Sequence, residues 1–262
     1  MSELEGRGVA WTEERGTSDE GRRRLKGAPE ASGRQSIARM MRVLQFGDSL
    51  LPIGSFSFSN ALESAVQEGV VRDAATLGEF VLTSAHRAAT SDGIALLEAH
   101  RAVRERDIDR IVRADRAVFE RKLGEETRTM TVRMGRKLAE VSTAALQAPL
   151  LDLWLGRVRD GAAPGTHPVG LGVLFAELGS PETDAFAVHQ YGVAMTTLSA
   201  ALRLMRIDHR QAQTILAAVN ETATSDYAAV RRASLSDMAS FTPMADILAA
   251  IHVRSHIRMF MN

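Results

Sequence analysis

The sequence contains no cysteine among its 262 residues, so disulfide bonds, thiolate metal sites and cysteine nucleophiles are all excluded. Aromatic residues are scarce, at 5%, whereas alanine, leucine, methionine and arginine are plentiful, which favours helices over sheets. An excess of charge of either sign is also missing, because 32 basic residues balance 32 acidic ones. No large uniform field is therefore expected to attract nucleic acid or an anionic membrane.

Long hydrophobic runs are missing too. No uncharged apolar run approaches the ~20 residues of a membrane span, and the first residues lack the apolar stretch of a signal peptide. Together with the missing cysteine, this predicts a cytoplasmic protein that binds neither membrane nor nucleic acid. Residues 1–34 have too few apolar side chains to build a core, and we predict a disordered, charged tail there.

Apolar residues recur at helical spacing through most of the chain from Ser36 onward. Residues 107–123 and 125–146 give clear amphipathic patterns, and residues 182–206 are apolar on most faces, as a central buried helix would be. The sequence therefore predicts an all-α fold, a single globular domain of about ten helices over residues 35–252.

Several helix boundaries follow from single residues. Asp73 or Thr76 is predicted to begin a helix that Asp92-Gly93 interrupts or bends. Gly135 lies inside a predicted helix at a cost of about 1 kcal/mol relative to alanine, which predicts the close approach of another helix. Near the end of the chain we predict separate helices at residues 208–219, 227–236 and 244–252.

Residues 48–68 join two helical patterns through a Pro–Gly turn and an alternation of serine and phenylalanine. Pro52 disfavours helix in the residue before it, so the preceding helix is expected to stop near Ser49, and Gly54 permits the turn that follows.

The second half of this segment suggests a local structure of its own. Phe56 and Phe58 form one apolar face, and Asn60 is predicted to cap the next helix with Glu63 as its capping-box partner. These residues alone indicate an ordinary helix–loop–helix connection with two buried phenylalanines.

The order of residues in this segment is more specific. The run Asp-Ser-Leu-Leu-Pro-Ile-Gly-Ser-Phe-Ser-Phe-Ser-Asn-Ala-Leu-Glu-Ser resembles the signature of the UreF family of urease accessory proteins, which usually has tyrosine at the position of Phe58. The resemblance continues from about Leu44 to the C-terminus. Further similar stretches are Glu126-Thr-Arg128, Met134-Gly135-Arg136, Pro168–Leu174, Arg203-Leu204 and the C-terminal His252, Arg258 and Phe260. Arg206, Asp208 and His209 depart from the family pattern.

The resemblance implies a cytoplasmic accessory protein, not an enzyme, that takes part in nickel insertion into urease. It implies a homodimer that bridges the accessory protein UreD (also called UreH) and the GTPase UreG, and that docks on apo-urease. It further implies that residues 253–262 form a partner-docking C-terminal tail, in which Arg258 matches a family residue implicated in recruiting UreG. The predicted partner-binding residues are His252, Arg258, Met259, Phe260 and Phe58.

Chemistry of other kinds has little support in the sequence. His252 and His256 are four residues apart and could share one helix face as metal ligands, but no third ligand is obvious nearby. No Gly-x-Ser-x-Gly elbow and no Gly-x-Gly-x-x-Gly run occurs. We therefore predict no catalytic residue, metal ligand or cofactor. One alternative is a helical metal-dependent enzyme or metal-binding protein that uses the two histidines. The other is a GTPase activator that supplies an arginine finger, for which the candidates include Arg128, Arg203, Arg231 and Arg232.

Overall fold

The computed structural model describes residues 28–239, 243–254 and 259–260. Every regular element in these residues is a helix, and eleven of them are α-helices. Their bounds are α1 Ala28–Gly47, α2 Leu62–Gln67, α3 Ala74–Ala88, α4 Ile94–Arg104, α5 Ile108–Arg121, α6 Glu125–Ala145, α7 Pro149–Arg159, α8 His167–Glu177, α9 Glu182–Leu204, α10 His209–Val230 and α11 Pro243–Arg254. The predicted all-α fold of about ten helices is confirmed. Residues 1–27 of the predicted tail lie outside the described residues.

Helix α1 begins at Ala28, ahead of the expected start at Ser36. Pro29 suits the first turn of a helix, because its φ is already helical and the N–H that it lacks has no partner there. The helix ends at Gly47, within two residues of the end that Pro52 predicts.

Helices α3 and α4 form one continuous segment with a π turn, Ala89–Gly93, between them. Asp73 caps α3 by accepting a hydrogen bond from Thr76 N, and Thr76 Oγ1 accepts one from Asp73 N, as a capping box does. The π turn is the predicted interruption at Asp92-Gly93. It carries Asp92, whose two oxygens accept hydrogen bonds from Lys122 Nζ at 2.7 and 2.6 Å.

Helix α8 lies at the centre of the core, and its residues 168–175 are all buried. At Gly172 it packs directly against the backbone of α4, with no side chain between the two helices. A Cβ added to Gly172 would lie 2.4 Å from the carbonyl oxygen of Leu96, which is too close for any side chain. A Cβ on Gly135 of α6 would lie 2.2 Å from the carbonyl oxygen of Gly165, just before α8. The predicted close approach at Gly135 is confirmed, and the neighbour is the backbone that leads into α8.

The loop before α8 is held in place by Asp115 of α5. Its carboxylate accepts hydrogen bonds from Trp154 Nε1, Gly165 N, Thr166 N and Thr166 Oγ1, at distances between 2.6 and 3.1 Å. Burial raises the pKa of Asp115, and the four donors oppose that rise. These four bonds fix the backbone on which Gly135 packs.

One prediction about the helices is wrong. Residues 208–219 and 227–236 do not form two separate helices, because α10 runs unbroken from His209 to Val230. The residues between the two expected helices contain neither glycine nor proline to end a helix. Contacts on two sides hold this stretch, since Asp226 Oδ1 lies 2.8 Å from His86 Nδ1 and Tyr227 donates to Glu182 of α9.

Two histidines near the Asp92–Lys122 ion pair are kept neutral. Burial lowers the pKa of His189 to about 4, an effect that Lys122 strengthens and Asp92 opposes. Burial also lowers the pKa of His167 to about 3, and the neighbouring His189 lowers it further. Both values lie below the ordinary histidine pKa of about 6.5.

We expect the free energy of unfolding to fall as the pH is lowered from 6.5 towards 4. In that range the unfolded chain protonates these imidazoles and the native chain does not, so each histidine removes about 1.4 kcal/mol per pH unit. Urea titrations at pH 6.5 and pH 5 should therefore show a loss of about 2 kcal/mol from His189 alone. The His189→Gln variant should lose less stability over this interval, and an unchanged pH dependence in that variant would contradict the assignment.

Candidate partner-docking site

The loop between α1 and α2, residues 48–61 and here called the signature loop, has three residues with left-handed backbone. Gly54 has φ of 87° and opens a short 3₁₀ turn, Ser55–Ser57. Asn60 and Ala61 have φ of 53° and 66°, a conformation that costs roughly 1 kcal/mol for a residue with a side chain. The loop therefore holds strain that contacts elsewhere in the chain must offset.

The predicted cap of α2 is wrong. The helix begins at Leu62, and its N-cap residue is Ala61, which has no side chain that could cap it. The N–H of Glu63, in the first turn, donates to Ser59 Oγ at 3.5 Å. With Asn60 in the left-handed region, its side chain points to α9, where Nδ2 donates to Thr197 Oγ1 at 3.2 Å. Glu63 is consequently free of a capping role, and its carboxylate points elsewhere.

Glu63 is the centre of the site. It is 2% exposed, and it accepts hydrogen bonds from two backbone groups of the C-terminal tail, Met259 N at 2.7 Å and Phe260 N at 3.0 Å. Burial alone raises the pKa of the Glu63 carboxyl, but His252 and these two N–H donors outweigh it, and the pKa is lowered. The carboxylate is thus ionised at neutral pH and holds the tail through these two hydrogen bonds.

His252 connects helix α11 to the same carboxylate. It is completely buried, with Nε2 3.0 Å from Oε2 of Glu63 and Nδ1 3.2 Å from Oε2 of Glu126 on α6. A second contact holds the other end of α11, because Asp246 accepts a hydrogen bond from Arg87 of α3. Helix α11 is therefore tied to α2, α3 and α6.

Arg203, in the last turn of α9, lies between two phenyl rings. Its guanidinium is 3.8 Å from the ring centre of Phe56 in the signature loop and 4.0 Å from that of Phe260 in the tail. It also donates to the carbonyl oxygen of Phe56 at 3.0 Å. Such cation–π contacts contribute about 0.5–2 kcal/mol each, so Arg203 joins the loop to the tail.

The structure brings three of the five predicted partner-binding residues together. His252 and Phe260 are buried around Glu63, and Met259 is 62% exposed beside them. Phe58 is buried against a groove on α6. Arg258 lies outside the described residues.

Three residues of the site were not predicted from the sequence. Glu63 was assigned a local capping role, and Phe56 was expected to be buried but is 66% exposed. Arg203 was noted as part of a motif and as one of several candidate arginine fingers, not as a contact between the loop and the tail. The sequence contained one indication of the role of Glu63, the Leu-Glu pair near the end of the signature run. A carboxylate that follows an apolar loop has few polar groups near it in the sequence, so it must find hydrogen-bond partners elsewhere in the chain.

Among the residues that the structure describes, no group of three or more histidine, aspartate or glutamate side chains is placed to hold a metal ion. His252 has a carboxylate oxygen near each ring nitrogen, and His256 lies outside the described residues. Within the same part of the chain, no helix has the length and apolar character needed to cross a membrane.

Known proteins resemble this chain over most of its length. The UreF family model matches residues 71–220. The urease accessory protein UreF 2 of Brucella canis is 54% identical over 232 residues, which is 88% of this chain and 96% of the relative. The urease accessory protein UreF of Yersinia enterocolitica is 48% identical over 223 residues, 85% of this chain and 98% of the relative. With this match and this identity, the chain belongs to the UreF family of urease accessory proteins.

Proposed function

We propose that this protein is a non-catalytic scaffold of urease maturation, which bridges UreD (UreH) and the GTPase UreG and docks with them on apo-urease to deliver nickel in the cytoplasm. The relatives are named as urease accessory proteins. The observation that carries the proposal is the tail, which is joined to α2 through Glu63 and to the signature loop through Arg203.

The joined loop and tail present a surface suited to a protein partner. The Arg203 guanidinium lies between Phe56 and Phe260, and Phe56 and the neighbouring Met259 remain more than half exposed. Arginine is enriched at interface hot spots, and phenylalanine and methionine are enriched at interfaces. Because Glu63 and His252 are buried beneath it, the surface is held rigid and loses little entropy on binding.

A second surface supports the homodimer. Helix α1 carries an apolar stripe of Ile37, Met40, Met41 and Leu44, each more than half exposed. Leu50, in the signature loop, is 85% exposed. An apolar stripe of this size on a soluble chain marks an interaction site, and we assign it to a second copy of the chain.

As a scaffold, the protein acts on the GTPase through differential affinity alone. If it binds one nucleotide state of UreG more tightly, it shifts UreG to that state by the ratio of the two affinities. The arginine-finger alternative loses one of its candidates, because the Arg203 guanidinium is occupied by Phe56 and Phe260.

Co-expression of the full chain with UreD and UreG from the same cell tests the proposal. For the chain alone, light scattering should give a mass of twice 28.5 kDa, which is that of a homodimer. With the partners it should give a larger, defined mass. Removal of residues 253–262 should abolish the larger complex and leave the helical circular dichroism of the chain in place. If well-folded partners form no complex with the full chain, the scaffold proposal is wrong; if the truncated chain still forms it, the interface lies outside the tail.

A further inference from the structure

A basic groove lies beside the signature loop. It has a volume of about 410 Å³ and runs between the loop residues Pro52 to Phe58 and one face of α6. Its floor includes the buried ring of Phe58, and its rim carries Arg133, Arg136 and Lys137. Glu140 is the one acidic residue that lines it in the described part of the chain, 3.6 Å from Lys137 Nζ.

This combination selects a particular kind of occupant. Three cationic side chains around an apolar floor fit an acidic segment that also carries a large apolar side chain. Lysine or arginine at a surface contributes little per pair, so a useful contact needs several carboxylates close together.

The chain itself contains such a segment before α1. Residues 1–21 carry six carboxylates and two arginines, a net charge of −4, although the whole chain has a net charge of zero. Within it, Trp11 is followed at once by Thr12, Glu13 and Glu14, so one large aromatic residue stands beside two carboxylates.

The length of chain before α1 suffices to reach the groove. Helix α1 has 20 residues, so Ala28 lies ~30 Å along the helix from Gly47, where the signature loop begins. The residues from Trp11 to Gly27 span about 55 Å when fully extended. As a flexible chain they have a root-mean-square length of roughly 20–25 Å, comparable to the distance required.

We propose that residues 9–14 bind in the groove between the signature loop and α6 of the same chain. Trp11 packs near Phe58, and Glu13 and Glu14 face Arg136 and Lys137. The segment thereby covers one side of the signature loop, and a partner that uses this side must displace it. The proposal does not depend on the proposed function, because it concerns the isolated chain.

Fluorescence of the full-length chain tests this binding directly. The two tryptophans are Trp11 and Trp154, and Trp154 is completely buried, so the difference between the wild type and Trp11→Phe isolates the Trp11 signal. In dilute buffer we expect Trp11 to be protected from acrylamide quenching, and the protection should disappear in 1 M salt, where the screening length is about 3 Å.

Charge exchange gives the sharper test. The Arg136→Glu/Lys137→Glu variant should lower the bound-to-free ratio of Trp11 about tenfold, and adding Glu13→Arg/Glu14→Arg should restore protection. The matched control is the Arg231→Glu/Arg232→Glu variant, which changes two exposed arginines directly after α10. This end of α10 contacts the first turn of α9, whereas Arg203 lies in the last turn of α9. The control variant should leave the quenching of Trp11 unchanged.

Two results would overturn the proposal. One is equal quenching of Trp11 in the wild type and the groove variant; the other is failure of the charge exchange to restore protection. If the groove variant leaves Trp11 unaffected but weakens the complex with an accessory protein, the groove belongs to that partner and not to residues 9–14.

Discussion

Replacing Gly172 by alanine is expected to destabilise the protein by about 4 kcal/mol or more, which is a large share of the 5–15 kcal/mol typical of a folded domain. The new Cβ would lie 2.4 Å from the carbonyl oxygen of Leu96 and 3.4 Å from the backbone nitrogen of His100. These are backbone atoms of α4, so no side-chain rotation relieves the contact. Helices α4 and α8 would have to separate, which opens the centre of the core.

Thermal and urea denaturation followed by circular dichroism measure this loss. The matched control is Gly156→Ala in α7, where a Cβ meets no atom within 4 Å. That substitution should stabilise the chain by about 0.5–1 kcal/mol, since alanine favours helix and glycine does not. A Gly172→Ala protein as stable as the wild type would show that α4 and α8 do not pack backbone to backbone.

Replacing Glu63 by alanine is expected to release the C-terminal tail and to abolish the proposed complex with UreD and UreG. The change leaves the N–H groups of Met259 and Phe260 without their acceptor and removes the Nε2 contact of His252. Hydrogen bonds to a charged group contribute about 1.5–3 kcal/mol each, so the loss of the two amide bonds costs at least about 3 kcal/mol and increases opening of the tail by roughly 100-fold or more.

Hydrogen exchange of the Met259 and Phe260 amides, together with trypsin cleavage after Arg254, measures this opening. Glu63→Gln retains one acceptor oxygen and should give an intermediate effect, and Glu79→Ala, at an exposed position on α3, should give none. The helical core should remain folded in every variant. A Glu63→Ala protein with slow exchange at both tail amides and an intact complex would remove Glu63 from the docking site.

Features that depend on neighbouring residues in the sequence were predictable. Asp73 caps α3 with Thr76 because both partners lie within one helical turn. Gly135 marked a close approach because a glycine inside a long helix must have a packing reason. The UreF resemblance rested on the order of residues in the signature loop, which is also local.

Features that depend on distant residues were not predictable. Glu63 follows Asn60 at the spacing of a capping box, and only the left-handed backbone at Asn60 and Ala61 turns it towards the tail. The partner atoms of Glu63 are about 200 positions away, and no pattern within the loop indicates them. Arg203 likewise lies in an ordinary last helical turn, and its role becomes visible only when the loop and the tail meet on it.

The pairing of Glu63 with Met259, 196 positions apart, also orders events during synthesis of the chain. At about 5–20 residues per second, the ribosome needs roughly 10–40 s to translate the segment that separates the two residues. Helices α2 to α10 are complete before the acceptor of the tail receives its donors. A chain that stops before Met259 therefore contains helices α2 to α10 but not the joined surface of Phe56, Arg203 and Met259. Only a chain that includes Met259 and Phe260 presents that surface, so assembly through it must wait until translation has passed these two residues.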